Sequence, residues 1–290
     1  MKSTITNGVL SAEMRHRGAE LASLRHKGLQ PEYIWQADPA FWGKSSPVLF
    51  PIVGQLKGNT YYYNNKAYSM PRHGFAREMD FELEVLGADH ATFKLSDSDE
   101  TRRKYPFAFT LRIAYTLKGD SLLVNYSVTN PSDDVLLFSL GAHPAFNVPL
   151  VAGTKYDDHY LLFSEREKVM RWNITPEGTI DTAGDLILAD ENKLPLFKSL
   201  FDKDALVFKD LKSQRISILS NAHNHGLEFS FEGFPYFGIW AAPGADFVCL
   251  EPWAGIADPA NHDQEFSNKE GIMRLPVDME WKANWAVRCF

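Results

Sequence analysis

An all-β chain, folded as one large antiparallel β-sandwich, is what this sequence predicts, and three observations carry the prediction. Segments alternate apolar and polar residues with period two, as strands with one buried face do. Gly, Asn or Asp closes these segments, supplying the backbone angles of tight hairpins. No strand–helix alternation occurs at the spacing of parallel α/β folds. Phe81–Leu86 and Ala91–Leu95 flank the turn Gly-Ala-Asp-His. Thr110–Leu117 and Ser121–Thr129 flank Lys-Gly-Asp, and Arg215–Ser220 and Leu227–Phe231 flank Asn221–Gly226. Tyr236–Ala241, Phe247–Leu250 and Asn284–Cys289 read as further strands. Helix is expected only at Ser98–Lys104, capped by Asp97-Ser98 and ending before Pro106, and at Leu194–Phe201. Strand-like segments run without a compositional break or a Ser/Gly linker, so one domain over residues 1–290 is expected.

Composition bounds the partners. The 290 residues are 44% apolar and 23% charged, enough to bury a large core. Thirty Lys and Arg against 37 Asp and Glu leave a formal charge of −7 without a long basic run, which argues against nucleic acid. The longest stretch free of charged side chains, Val135–Thr154, holds Pro144 and Pro149 and makes a poor membrane helix. With no signal-peptide pattern at Met1–Leu10, a cytoplasmic chain without a membrane partner is expected. Cys249 and Cys289 form no CxxC pair; a single long-range disulfide is the most they allow. A homodimer is left open by the aromatic-rich strands.

The chemistry concentrates in segments unlike ordinary strands. Pro71-Arg-His-Gly-Phe-Ala-Arg77 brackets a His and two Arg on a rigid bend. As a bare segment it reads equally as an exposed turn with solvated cations. Ser139–Asn147 places His143 in the uncharged stretch, where burial would move its pKa; a core histidine bonded to a carbonyl is the plain alternative. In Phe247-Val-Cys-Leu-Glu-Pro-Trp253, Glu251 ends an apolar run before Pro252, where a turn is expected. A carboxylate there, beside Trp253, suits a general base or a sugar contact, and equally a structural acceptor of backbone N–H groups. His223-Asn-His225 has a metal-like spacing but sits in an expected hairpin turn. Asp258–Glu270 lacks EF-hand spacing, Gly54–Gly58 opens no helix, and neither GxSxG nor HExxH occurs.

Taken together, Gly18–Leu24, Ser46–Gly54, Arg72–Arg77, Gly141–Asn147 and Leu250–Pro252 resemble, in order and over nearly the whole chain, the aldose 1-epimerase (galactose mutarotase-like) family. The likeness is nearest the branch found beside lactose and galactose operons in lactic acid bacteria. It implies the family's large β-sandwich and a metal-free, cofactor-free interconversion of α and β anomers of a small-molecule sugar. Carried over by position, Glu251 is the base and His143, as imidazolium, the acid, while His73 contacts the sugar near its ring oxygen. Asp204, in Phe201–Phe208, matches the Asp that binds sugar hydroxyls.

The sequence also departs from the pattern. Gln55 stands where galactose mutarotases carry a sugar-binding Arg, and Arg72–Arg77 resembles the motif of hexose-6-phosphate mutarotases. Arg72, Arg77 and Lys57 are therefore candidates for an anion site, their alternative being surface cations or a pairing with Glu78 or Asp80. A hexose 6-phosphate substrate, and a sugar-binding protein without catalysis, are the competing readings. A glycoside hydrolase ranks last, since only Glu251 stands where one of its two carboxylates is needed.

Overall fold

The computed structural model describes residues 1–29 and 31–290. The strand Ser121–Thr129 has the bounds its pattern predicts, and so does Arg215–Ser220. Thr110–Lys118, His90–Ser96, Glu82–Leu86, Leu227–Glu232 and Tyr236–Trp240 fall within a residue of theirs. The last strand begins four residues earlier than expected and spans Glu280–Cys289. Ser98 caps the helix Asp99–Lys104, its hydroxyl accepting from the Thr101 N–H while Thr101 returns the bond. Leu194–Phe201 is not a helix: a strand runs to Pro195, and only a single 3₁₀ turn, Lys198–Phe201, follows. The two cysteines are both buried and both free, so no disulfide joins them.

Most strands join one 15-stranded antiparallel sheet, while Lys2–Thr6, Leu10–Arg15 and Glu20–His26 form a separate three-stranded sheet. The large sheet begins Val48–Leu49, Leu140–Ala142, Phe247–Ala254, Tyr236–Trp240, Leu206–Phe208 and His159–Ile174. It continues through Arg215–Ser220, Leu227–Glu232, Glu280–Cys289, Ser121–Thr129 and Thr110–Lys118 to His90–Ser96 and Glu82–Leu86, while off this path Ala145–Asn147 pairs with Phe247–Ala254 and Ile180–Pro195 with His159–Ile174. It folds back on itself, because Phe50, beside its first strand, packs on Phe109, beside its eleventh, with ring centroids 4.9 Å apart. Phe138 meets Trp281 in the same way at 5.6 Å. The larger apolar core draws on residues from Ile5 to Cys289, and a smaller one, with Val53, Ile180, Val207, Trp253 and Ile256, backs the cavity lined by His143 and Glu251. Among the described residues, no helix is long and apolar enough to cross a membrane.

Candidate active site

The strand Phe247–Ala254 does not stop at Glu251. It passes straight through Glu251-Pro252 and is buried along its whole length. The turn expected at Pro252 fails for a topological reason. A proline inside a sheet must face a place where its missing N–H is not needed. On one side Pro252 opposes Phe237. On the other, two short strands flank it: Leu140 and Gly141 pair with Ala254 and Trp253, and Ala145 pairs with Cys249. Between them His143 and Pro144 fall outside the regular strands, yet the Pro144 carbonyl still accepts from the Leu250 N–H and the register is kept. That register sets His143 opposite Glu251.

Alternation puts Cys249, Glu251 and Trp253 on one face of the strand. His143 Nε2 lies 3.3 Å from Glu251 Oε2, and both side chains are more than nine-tenths buried. They lie at the bottom of a cavity of about 870 Å³ also lined by His73, Arg72, Arg77 and Asp204. Burial dominates the electrostatics. It pushes the Glu251 carboxyl well above the ordinary carboxylate range, with Arg72 opposing, and pushes His143 down to about 3, aided by Arg77. Burial of both groups thus favours a neutral pair over the carboxylate and imidazolium that the resemblance implies for the reaction.

His73 sits at φ 67°, in the bend Pro71–Gly74. A glycine must follow it, since a Cβ at Gly74 would lie 2.2 Å from the Phe50 carbonyl oxygen. The Gly54 N–H donates to His73 Nδ1 at 3.1 Å, which leaves Nε2 as the donor of the neutral ring. Burial, then His143 and the two arginines, lower the His73 pKa. Its ring meets that of His143 edge-on at 5.8 Å.

The cationic candidates divide. Arg77 donates to the Arg72 carbonyl at 2.9 Å, and Arg72 Nη2 stands 3.9 Å from Asp204 Oδ2 across the cavity mouth. Glu78 pairs with Arg17 and Lys44 rather than with Arg77. Lys57 is no part of this group: its ammonium donates to the His262 carbonyl, and it does not line the cavity. Gln55 turns away toward Asn59. Nor do His223 and His225 reach the cavity. The acidic loop Asp258–Glu270 has a structural use, since buried Asp258 pairs with buried Lys269 at 2.7 Å and holds the wall at Ala257.

Sequence reasoning missed the aromatic wall. Trp42 stacks on His143 with centroids 4.9 Å apart and planes 26° apart, and Trp240 meets that imidazole edge-on at 5.7 Å. The hairpin tip around Asn173–Gly178 and Lys203 complete the rim. Trp42 lies in an irregular segment with no periodicity to mark it. Trp42 and Trp240 also meet edge to face at 5.5 Å, so one aromatic wall and a buried acid–base pair equip the cavity to hold a polyol ring and exchange protons with it.

The family model described as aldose 1-epimerase matches residues 1–274. Two LacX proteins of Lactococcus lactis subsp. lactis, plasmid and chromosomal, are each 34% identical over 294 residues, covering 98% of both chains. A galactose mutarotase related enzyme from Lactobacillus acidophilus superposes with a TM-score of 0.95 at 34% identity, over 100% of this chain and 97% of the other. A galactose mutarotase-like protein from Lactobacillus casei gives 0.94 at 32% identity over 100% of both.

Proposed function

The chain belongs to the aldose 1-epimerase family, and from that premise we propose that it is an isomerase interconverting the α and β anomers of an aldohexose. The observation that carries this is the His143–Glu251 pair, 3.3 Å apart and buried at the bottom of an aromatic-walled cavity. Glu251 takes the proton of the anomeric hydroxyl while His143 protonates the ring oxygen. The C1–O5 bond breaks, O1 becomes the aldehyde oxygen, and O5 becomes a hydroxyl. Rotation about C1–C2 and the reverse transfers close the other anomer. His73 Nε2 and Asp204 contact the sugar hydroxyls, and Trp42 holds the His143 ring in plane.

Opening begins with carboxylate and imidazolium and ends with carboxylic acid and neutral imidazole. Burial prefers the second arrangement, so the bound sugar must supply the hydrogen bonds that hold the first, and the transfers to the ring then return the pair to its neutral form.

A second reading of the substrate has its own observation: Arg72, Arg77 and Lys203 all line the cavity. They suit a hexose 6-phosphate, whose phosphate would sit between guanidinium groups. Polarimetry on freshly dissolved α-galactose, α-glucose and their 6-phosphates tests both. We expect faster decay of rotation, and Glu251→Gln to lower the catalysed rate about 10²- to 10⁴-fold with unchanged circular dichroism. Competition by inorganic phosphate would assign the phosphorylated sugar. Equal rates in variant and parent would overturn the role of Glu251, and sugar binding without any acceleration would make the chain a binding protein.

A further inference from the structure

Directly beneath the acid–base pair lies a group the reaction does not use. Cys249 is two residues before Glu251 on the same face of the same strand, fully buried, with a free thiol. One donor atom from each of His143, Cys249 and Glu251 lies within 4.8 Å of the other two. Imidazole nitrogen, thiolate sulfur and carboxylate oxygen are the donors that soft and borderline divalent ions select.

We propose that these three residues form a binding site for a thiophilic divalent cation of the zinc or cadmium kind, which competes with sugar and switches the pair off.

The geometry is close to what such an ion needs. Tetrahedral zinc with bonds of about 2.0–2.1 Å to nitrogen and oxygen separates those two ligands by roughly 3.3 Å, and His143 Nε2 and Glu251 Oε2 are 3.3 Å apart. The nitrogen–sulfur edge needs about 3.6 Å, so the 4.8 Å bound closes by about 1 Å, within reach of a side-chain rotation. His143 Nδ1 is buried without a hydrogen-bond partner, while Trp42 keeps the ring with Nε2 toward Glu251, so the adjustment falls to the Cys249 side chain. Binding releases two protons to solvent, from the Cys249 thiol and the Glu251 carboxyl, and the resulting two anions balance a dication that the nearby Arg72 and Arg77 would otherwise repel. His143 and Glu251 face the cavity, so water from that side would complete the shell. The ion would be an antagonist, since it occupies the lone pairs that move the substrate's protons.

Metal binding stands on this geometry alone, whereas the inhibition rests on the proposed function, and the two are read separately. Cadmium titrated into the full chain should give the ultraviolet thiolate-to-cadmium band, saturating at one ion per chain. Cys249→Ser should abolish that band, since Cys289 lies outside the cluster, and its mutarotation should resist cadmium that stops the parent enzyme and that a chelator reverses. Glu251→Gln should keep the band but weaken the affinity about tenfold or more. Should Cys249→Ser not fold, the Glu251→Gln titration and protection of the parent by saturating sugar decide instead. No band in the parent, a band that survives in Cys249→Ser, or an affinity indifferent to both Glu251→Gln and sugar would overturn the proposal. An absence of mutarotation on any sugar would leave the optical titration valid and would instead count against the function.

Discussion

Two side chains, His143 and Glu251, hold one proton between them, and the pH profile should show it. A second proton disables the base, and loss of the only proton disables the acid. Burial pushes the first event down toward the His143 value of about 3 and the second well above the 4.5 of an ordinary glutamate. The acid limb of kcat/KM therefore moves to lower pH and the alkaline limb to higher pH. We expect no loss on the acid side across about pH 5 to 8, the range in which ordinary histidines titrate. A limb with its midpoint near 6.5 and loss on its acid side would show a solvated His143 and defeat the argument. At this scale the sequence marked His143, Glu251, His73, Arg72, Arg77 and Asp204, all of which line one cavity. It did not mark Trp42, whose position is set by Trp35 Nε1 donating to its carbonyl from seven residues away. It misplaced Lys57, because a backbone carbonyl at His262, 205 residues distant, takes the ammonium.

At the scale of the element, the strand Phe247–Ala254 owes its shape to glycines on both neighbours. A Cβ at Gly238 would fall 2.4 Å from the Trp253 ring, and one at Gly141 would fall 2.7 Å from it. Trp253 thus lies flat across two strands, beside the glycine that opposes Glu251. Gly238→Ala must displace this indole, at a cost of about 1–3 kcal/mol by overpacking, and it should lower mutarotation together with the melting temperature. Gly43→Ala is the control. Nothing lies within 4 Å of the added carbon, so a change within about 0.5 kcal/mol is expected. Thermal unfolding monitored by circular dichroism measures both, and equal melting temperatures would refute the packing account. Short hairpins such as Thr110–Lys118 with Ser121–Thr129 were readable because each alternates cleanly between buried and half-buried positions. The 16-residue strands His159–Ile174 and Ile180–Pro195 were not, because several register shifts between them break the alternation. Their tip supplies the cavity rim.

Over the whole molecule, the ends of the chain matter to the middle of the sheet. The last strand, Glu280–Cys289, pairs on one side with Leu227–Glu232 and on the other with Ser121–Thr129, and it buries Ala283, Trp285, Val287 and Cys289. Deleting residues 280–290 would expose two strand edges in mid-sheet and remove that part of the core. Loss of the cooperative thermal transition is expected. A truncated chain that still melts cooperatively would show that the sheet closes without its last strand.

Antiparallel β structure followed from alternation and turn chemistry, because both are local: a side-chain period of two and a backbone angle need only neighbouring residues. The chemistry-bearing segments were visible for a similar reason, since Pro, Gly and His interrupt the pattern where they stand. Which of them face one another depended on strand register across more than a hundred residues. His143 meets Glu251 because the ladder keeps its register across the irregular step at His143-Pro144. The location of the proton waited on the same assembly. Burial and the arginine field come from the whole fold: burial disfavours the charged form of both side chains, while the arginines act against it on Glu251 and with it on His143.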